Sequence, residues 1–193
     1  MLKLTYDTSL NIAQEAVKKG SKLGLNPLAI VVLDDRASLR ICLNQDGTAI
    51  HRHRVAHGKA NAAMSLGMGS RSLGSRAEEQ AYFVDAVGRM MDGDFIPVPG
   101  GVLIRNSDGA ILGAVGISGD VSDNDEAVAI AAFAVAVSPE ASVISYVTPD
   151  SIAAIVSGFA KDASDGKCTR FTLSLWLGPP ELDIVRALPY NSE

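Results

Sequence analysis

A chain of 193 residues, 47% hydrophobic and 20% charged, is long enough to bury a sizeable core and fits one domain, or one domain with an appendage. A formal net charge of −5 without any basic stripe speaks against nucleic-acid binding, where Lys and Arg must neutralise phosphates. Two distant thiols, Cys42 and Cys168, exclude a disulfide framework or a Cys-based zinc site, and no apolar run approaches the roughly 20 residues that cross a bilayer.

Apolar residues recur at three and four between Thr8 and Leu23, with Lys18, Lys19 and Lys22 opposite, which predicts an amphipathic helix stopped by Gly24 and Asn26-Pro27. The branched runs Leu28–Leu33 and Ser38–Leu43, separated by Asp34-Asp35, read as an antiparallel hairpin. A second helix is expected from His51 to Leu66. The stretch holding Gly67, Gly69 and Gly74 reads as a mobile loop, and a third helix as running from about Ala77 to Met91. Two apolar runs then flank Asn106-Ser107-Asp108-Gly109, a strong hairpin signal. From Asp125 to Val137 the pattern is apolar almost all round, so that helix must be covered on both sides, by the sheet and by something else such as a second subunit.

Beyond residue 138 the pattern gives a helix at Ser151–Lys161 and a strand at Phe171–Leu177. The expected organisation is therefore a main domain over residues 1–137 and a helix-strand extension, 138–193, packed on it. Paired strands with grouped helices suggest an α+β layer structure with an antiparallel sheet rather than a doubly wound parallel one. The amino terminus, MLKLTYDTSL, lacks the apolar core of a secretory signal, so a cytoplasmic location is the expectation.

Several motifs carry a resemblance. Asp46-Gly47, then Lys59-Ala60, Gly100-Gly101 with Val102 and Ile104, GAVGISG at 113–119, and Asp125-Glu126 heading an Ala-rich helix together resemble the GlcG/HbpS family, over about residues 5–137. The resemblance implies a profilin-like antiparallel sheet with helices on its faces, assembly into homo-oligomers, and binding of haem or a related flat cofactor, with haem degradation within the family's range. Departures are Leu103 where the family has Pro, Ala62-Ala63 where a Thr-Ala pair is common, and Asn44-Gln45-Asp46-Gly47 at the first turn.

Three constellations could carry chemistry. All three histidines lie in HRHRVAH, residues 51–57. On a helix His53 and His57 share a face, spaced to reach one metal ion or a haem iron, while Arg52, Arg54 and Lys59 could hold propionates or a substrate carboxylate. The plainer alternative is a solvated basic helix mouth. Gly100, Gly101, Gly116 and Gly119, with Ser118 among them, could let backbone approach a flat ligand, or could serve hairpin ends and close helix-sheet packing. Asp120, Asp123, Asp125 and Glu126 crowd one helix start. Ser122 with Asp125 has the form of a capping box, and a carboxylate beside Lys59 could act as a general base.

Three readings follow: a haem-binding module using His53 and His57, an enzyme for a small carboxylate or hydroxy acid in which Lys59, Asp125 and Glu126 do the acid-base work, or an oligomeric scaffold or accessory protein with no ligand. The first two expect the glycine hairpin, the Lys59 helix and the acid-headed helix to surround a common hollow.

Overall fold

The computed structural model describes residues 4–106, 109–136 and 141–144. The helix and strand expected at 151–161 and 171–177 lie outside the described residues, as does Cys168. Helix α1 (Tyr6–Lys22) begins where the Thr5 side chain accepts the Thr8 N–H, two residues earlier than periodicity alone indicated. The first hairpin forms as expected from β1 (Ala29–Asp34) and β2 (Leu39–Asn44), and α2 (Arg52–Leu66) follows it. The second hairpin joins β3 (Gly101–Asn106) to β4 (Ile111–Ser118), and α5 (Ser122–Ala136) follows β4.

Between the hairpins the sequence expectation fails. The Gly/Ser-rich stretch is not a loop: it is helix α3 (Ser70–Glu79), broken at Gln80 from α4 (Ala81–Met90). Tertiary contacts override weak intrinsic propensity here. Leu73 is buried in a cluster with Ala62, Val84, Val87 and Phe95, and Ser70 is fully buried against β3.

The sheet is antiparallel throughout, in the order β2-β1-β4-β3-β5, where β5 (Ala141–Ile144) pairs with β3. Residues 141–144 thus add a strand to the same sheet. Helices cover both faces, so the α+β architecture is as expected.

Strand alternation sorts the core into two layers. Ile30, Val32, Val102, Ile104, Val115 and Ile117 face α1 and α5, whereas Ala29, Val31, Leu33, Leu103 and Ala114 face α2. A bulge opposite Ile104/Arg105 shifts the alternation by one residue, so that Leu112 joins the layer of Val115 and Ile111 that of Ala114. The cover that the apolar α5 required is supplied within the chain. Its Val128, Ala129, Ala132 and Phe133 pack among Ile12, Ala13 and Ala16 of α1 and the sheet. No helix among the described residues is long and apolar enough to cross a membrane.

Candidate functional site

The glycine hairpin, α2 and the head of α5 do converge, and they meet at Lys59. The side chains of Lys59 and Asp125 are only 2% and 1% exposed. From α2, the Lys59 ammonium donates to Asp125 Oδ2 at 2.8 Å and to the Ile117 carbonyl at 3.0 Å, thereby joining the layers on either face of the sheet. Burial pushes the Lys59 ammonium below and the Asp125 carboxyl above their ordinary ranges, and the bond between them opposes both shifts.

Glycines make this approach feasible. A Cβ at Gly101 would collide with the Lys59 carbonyl and one at Gly116 with the Ala56 carbonyl, so α2 rests directly on the strand backbone. At Gly100, where φ is +122°, a Cβ would sit 2.8 Å from the Lys59 ammonium. A Cβ at Gly119 would collide with the Pro27 carbonyl. Where a hollow was expected there is packed helix, strand and ion pair, because alanines and glycines bring the backbones together. These glycines serve close packing.

The acid cluster separates into distinct duties. Asp120, not the Ser122/Asp125 box, accepts the Val121 N–H at 2.9 Å, and it also holds the Asn26 N–H at 3.0 Å and the Asn124 side chain at 2.7 Å. These bonds, Asn26 first, lower its pKa to about 2. Asp125 accepts the Asp120 N–H at 3.1 Å besides binding Lys59. Glu126 is buried and takes Arg71 Nε at 2.6 Å, while the same guanidinium binds the exposed Asp123. Arg71 was missed by the sequence reading, although four acids in seven residues called for a buried cation. Ser70 was missed too: its hydroxyl accepts the Gly101 N–H at 2.7 Å and donates to the Gly101 carbonyl at 3.1 Å.

Ser118 is buried and bonded by Arg52 Nη1 at 3.2 Å. The remaining predicted residues lie at the outer side of α2. Arg54 is exposed, and His53 and His57 are half-buried. His53, His57 and Asn61 follow one another at intervals of four, along one stripe of the helix. That stripe faces the segment between α4 and β3: His57 Nδ1 lies 2.8 Å from Asp94 Oδ2, and Asn61 Nδ2 donates to the Asp94 carbonyl at 2.7 Å. Asp94 had no signal in the sequence, since 37 residues separate it from His57. Near the start of α2, Ile50 is exposed; so are Val98, two residues before Gly100, and Val121, at the head of α5. Chain topology sets all three at the same end of the sheet, because the Ile117 N–H bonds the Gly100 carbonyl and Arg52 bonds Ser118.

Ala62, where the resemblance has a hydroxyl, is buried under α3 and α4 and turned away from this end. Among the described residues, no group of three or more His, Cys, Asp or Glu is placed to hold a metal ion.

Comparison with known proteins accords with this architecture. A family model described as "Haem degrading protein HbpS-like" matches residues 4–134. Among solved structures, a PduOC:haem complex superposes with a TM-score of 0.63 at 20% identity, covering 69% of this chain and 94% of that one. A protein called ORFY from Klebsiella pneumoniae gives 0.61 at 20% identity, covering 69% and 90%. A double mutant of HbpS from Streptomyces reticuli gives 0.61 at 24% identity, covering 72% and 90%. No curated protein matches the sequence.

Proposed function

The chain belongs to the HbpS-like family, and from that premise we propose that it binds haem, or a closely related flat cofactor, at the amino-terminal end of α2. Haem asks for three things of a protein: an iron donor, cations for its propionates and apolar surface for the macrocycle. His53 and His57 supply candidate donors on one helical stripe. Arg54 and Arg52 supply positive charge within the same two turns, and Ile50, Val98 and Val121 supply exposed apolar surface at that end of the sheet. The observation that carries the reading is this concentration: two partly exposed imidazoles and an exposed guanidinium within five residues of α2, with apolar side chains left open to solvent at the same end of the sheet. When bound, haem would bring redox-active iron. The chain's own residues would orient the ring and neutralise its carboxylates.

One of the structural neighbours is a haem complex, which supports the ligand class. No specific observation favours the alternative of Lys59, Asp125 and Glu126 as acid-base catalysts, since all three are buried and already bonded. Titration of the full chain with hemin tests the proposal. A saturable shift of the Soret band is expected, and it should be lost in the His53→Ala/His57→Ala double variant. Absence of a saturable shift, or one indifferent to both substitutions, overturns it.

A further inference from the structure

We infer that His57, rather than His53, is the iron donor of this site and that Asp94 is its positioning residue, holding Nδ1–H so that Nε2 is offered to the cofactor. The inference rests on the haem-binding reading above and goes beyond it by assigning the ligand and the group that orients it.

Asp92, at φ +52°, and Gly93, at φ +80°, turn the chain after α4, and the Asp94 N–H returns to the Met91 carbonyl at 2.9 Å. Two bonds then fasten the segment to α2: Asn61 Nδ2 to the Asp94 carbonyl at 2.7 Å, and the Ile96 N–H to the Gly58 carbonyl at 3.0 Å. Gly58 leaves the helix bare there, since a Cβ would stand 2.8 Å from the Ile96 side chain. The result is a carboxylate whose two oxygens lie 3.0 and 2.8 Å from His57 Nδ1.

Stability gives little reason for so definite an arrangement. The two side chains are 30% and 44% exposed, and an ion pair that wet contributes little to folding. Its chemical consequence is larger. A neutral imidazole exists as two tautomers, and a carboxylate acceptor at Nδ1 selects the one whose Nε2 carries the lone pair. The same contact fixes the ring's rotation and strengthens Nε2 as a donor to a metal. His53, one turn towards the helix start, has no hydrogen-bond partner among the described residues, and its tautomer and rotation are unset.

The test is hemin titration of the full chain and of His53→Ala, His57→Ala, Asp94→Ala, Asp94→Asn and Asp94→Glu variants, with resonance Raman of the ferrous complexes. His57→Ala should abolish the histidine-ligated spectrum and His53→Ala should keep it. Asp94→Ala should weaken hemin binding by about 10- to 100-fold and lower the iron–histidine stretching frequency. Asp94→Asn, which retains an acceptor, should fall between, and Asp94→Glu should restore part of the affinity. The melting temperature of Asp94→Ala without hemin should drop by no more than about 4 °C. If wild type binds no hemin, the haem reading and the inference both fall. If wild type binds but His57→Ala keeps its spectrum, haem binding stands and the ligand assignment falls. Loss on His57→Ala with unchanged affinity and Raman frequency in the Asp94 variants overturns Asp94's role alone, as does a large melting-temperature drop with no frequency shift.

Discussion

The two faces of the sheet are built on opposite principles. Towards α1 and α5, the strands present Ile30, Val32, Val102, Ile104, Val115 and Ile117, which interlock with Ile12, Val128, Ile130 and Phe133. Towards α2, Val31, Leu33 and Leu103 share the face with Ala29, Ala114, Gly101 and Gly116, and it is the last four that lie where Ala56, Ala60 and Ala63 of the helix come closest. Large side chains hold helix and sheet apart and stabilise by apolar area removed from water. Small ones bring the backbones into contact, so that Lys59 and Ser70 can hydrogen-bond strand carbonyls directly. One face is protected by volume and the other by proximity, and the two should fail differently when disturbed.

The sharpest way to break the comparison is to add volume to the close face. Gly116→Val would drive a branched side chain into the Ala56 carbonyl, which is helix backbone and cannot rotate away. A loss of more than about 3 kcal/mol in denaturant titration is expected, the upper end for overpacking. Second, Lys59→Ala or Asp125→Ala should each cost about 3–5 kcal/mol, because either leaves a buried charge without its partner. Replacing both at once, Lys59→Met with Asp125→Leu, should recover most of that loss, which a double-mutant cycle would measure. Removing a methylene from the aliphatic face is milder: Ile30→Val should cost about 0.5–1.5 kcal/mol, and a loss as large as that of Gly116→Val would erase the distinction between the faces.

The smallest effect concerns the head of α5. Asp120 is held to about 2 by the Asn26 N–H and by Asn124 and Val121. A carboxylate with a lowered folded-state pKa contributes stability above its unfolded value near 3.8, and that contribution disappears as pH falls through about 2. Acid titrations of wild type and Asp120→Ala should therefore converge between about pH 4 and pH 2. Parallel curves would show that the bonds to Asn26 and Asn124 do not couple to folding.

How much of this was legible depended on the range of the interaction. Both hairpins could be read because branched runs and short turns are local signals, and Asn106 to Gly109 marks its turn in four letters. Lys59, Asp125 and Glu126 stood out because charges flanking alanines and glycines need an explanation, but composition could not say whether they surround a ligand or bond one another. Helix α3 was hidden by its own residues. Gly69, Ser70, Ser72, Gly74 and Ser75 are poor helix formers, and the helix persists because Leu73 is buried in the core and Ser70 is caught by Gly101. The break at Gln80 had no signal, and the acid cluster called for a cation without indicating that Arg71 would supply it.

By itself the sequence determined helices α1, α2 and α5, the two antiparallel hairpins and the histidine stripe, because each follows from periodicity, turn chemistry or spacing within a few residues. Tertiary structure alone decided that α1 covers α5, that Lys59 is spent on Asp125 and that Asp94 stands against His57. Those partners are 37 or more residues apart, and only the packing of helices on the sheet selects which distant groups come within bonding distance.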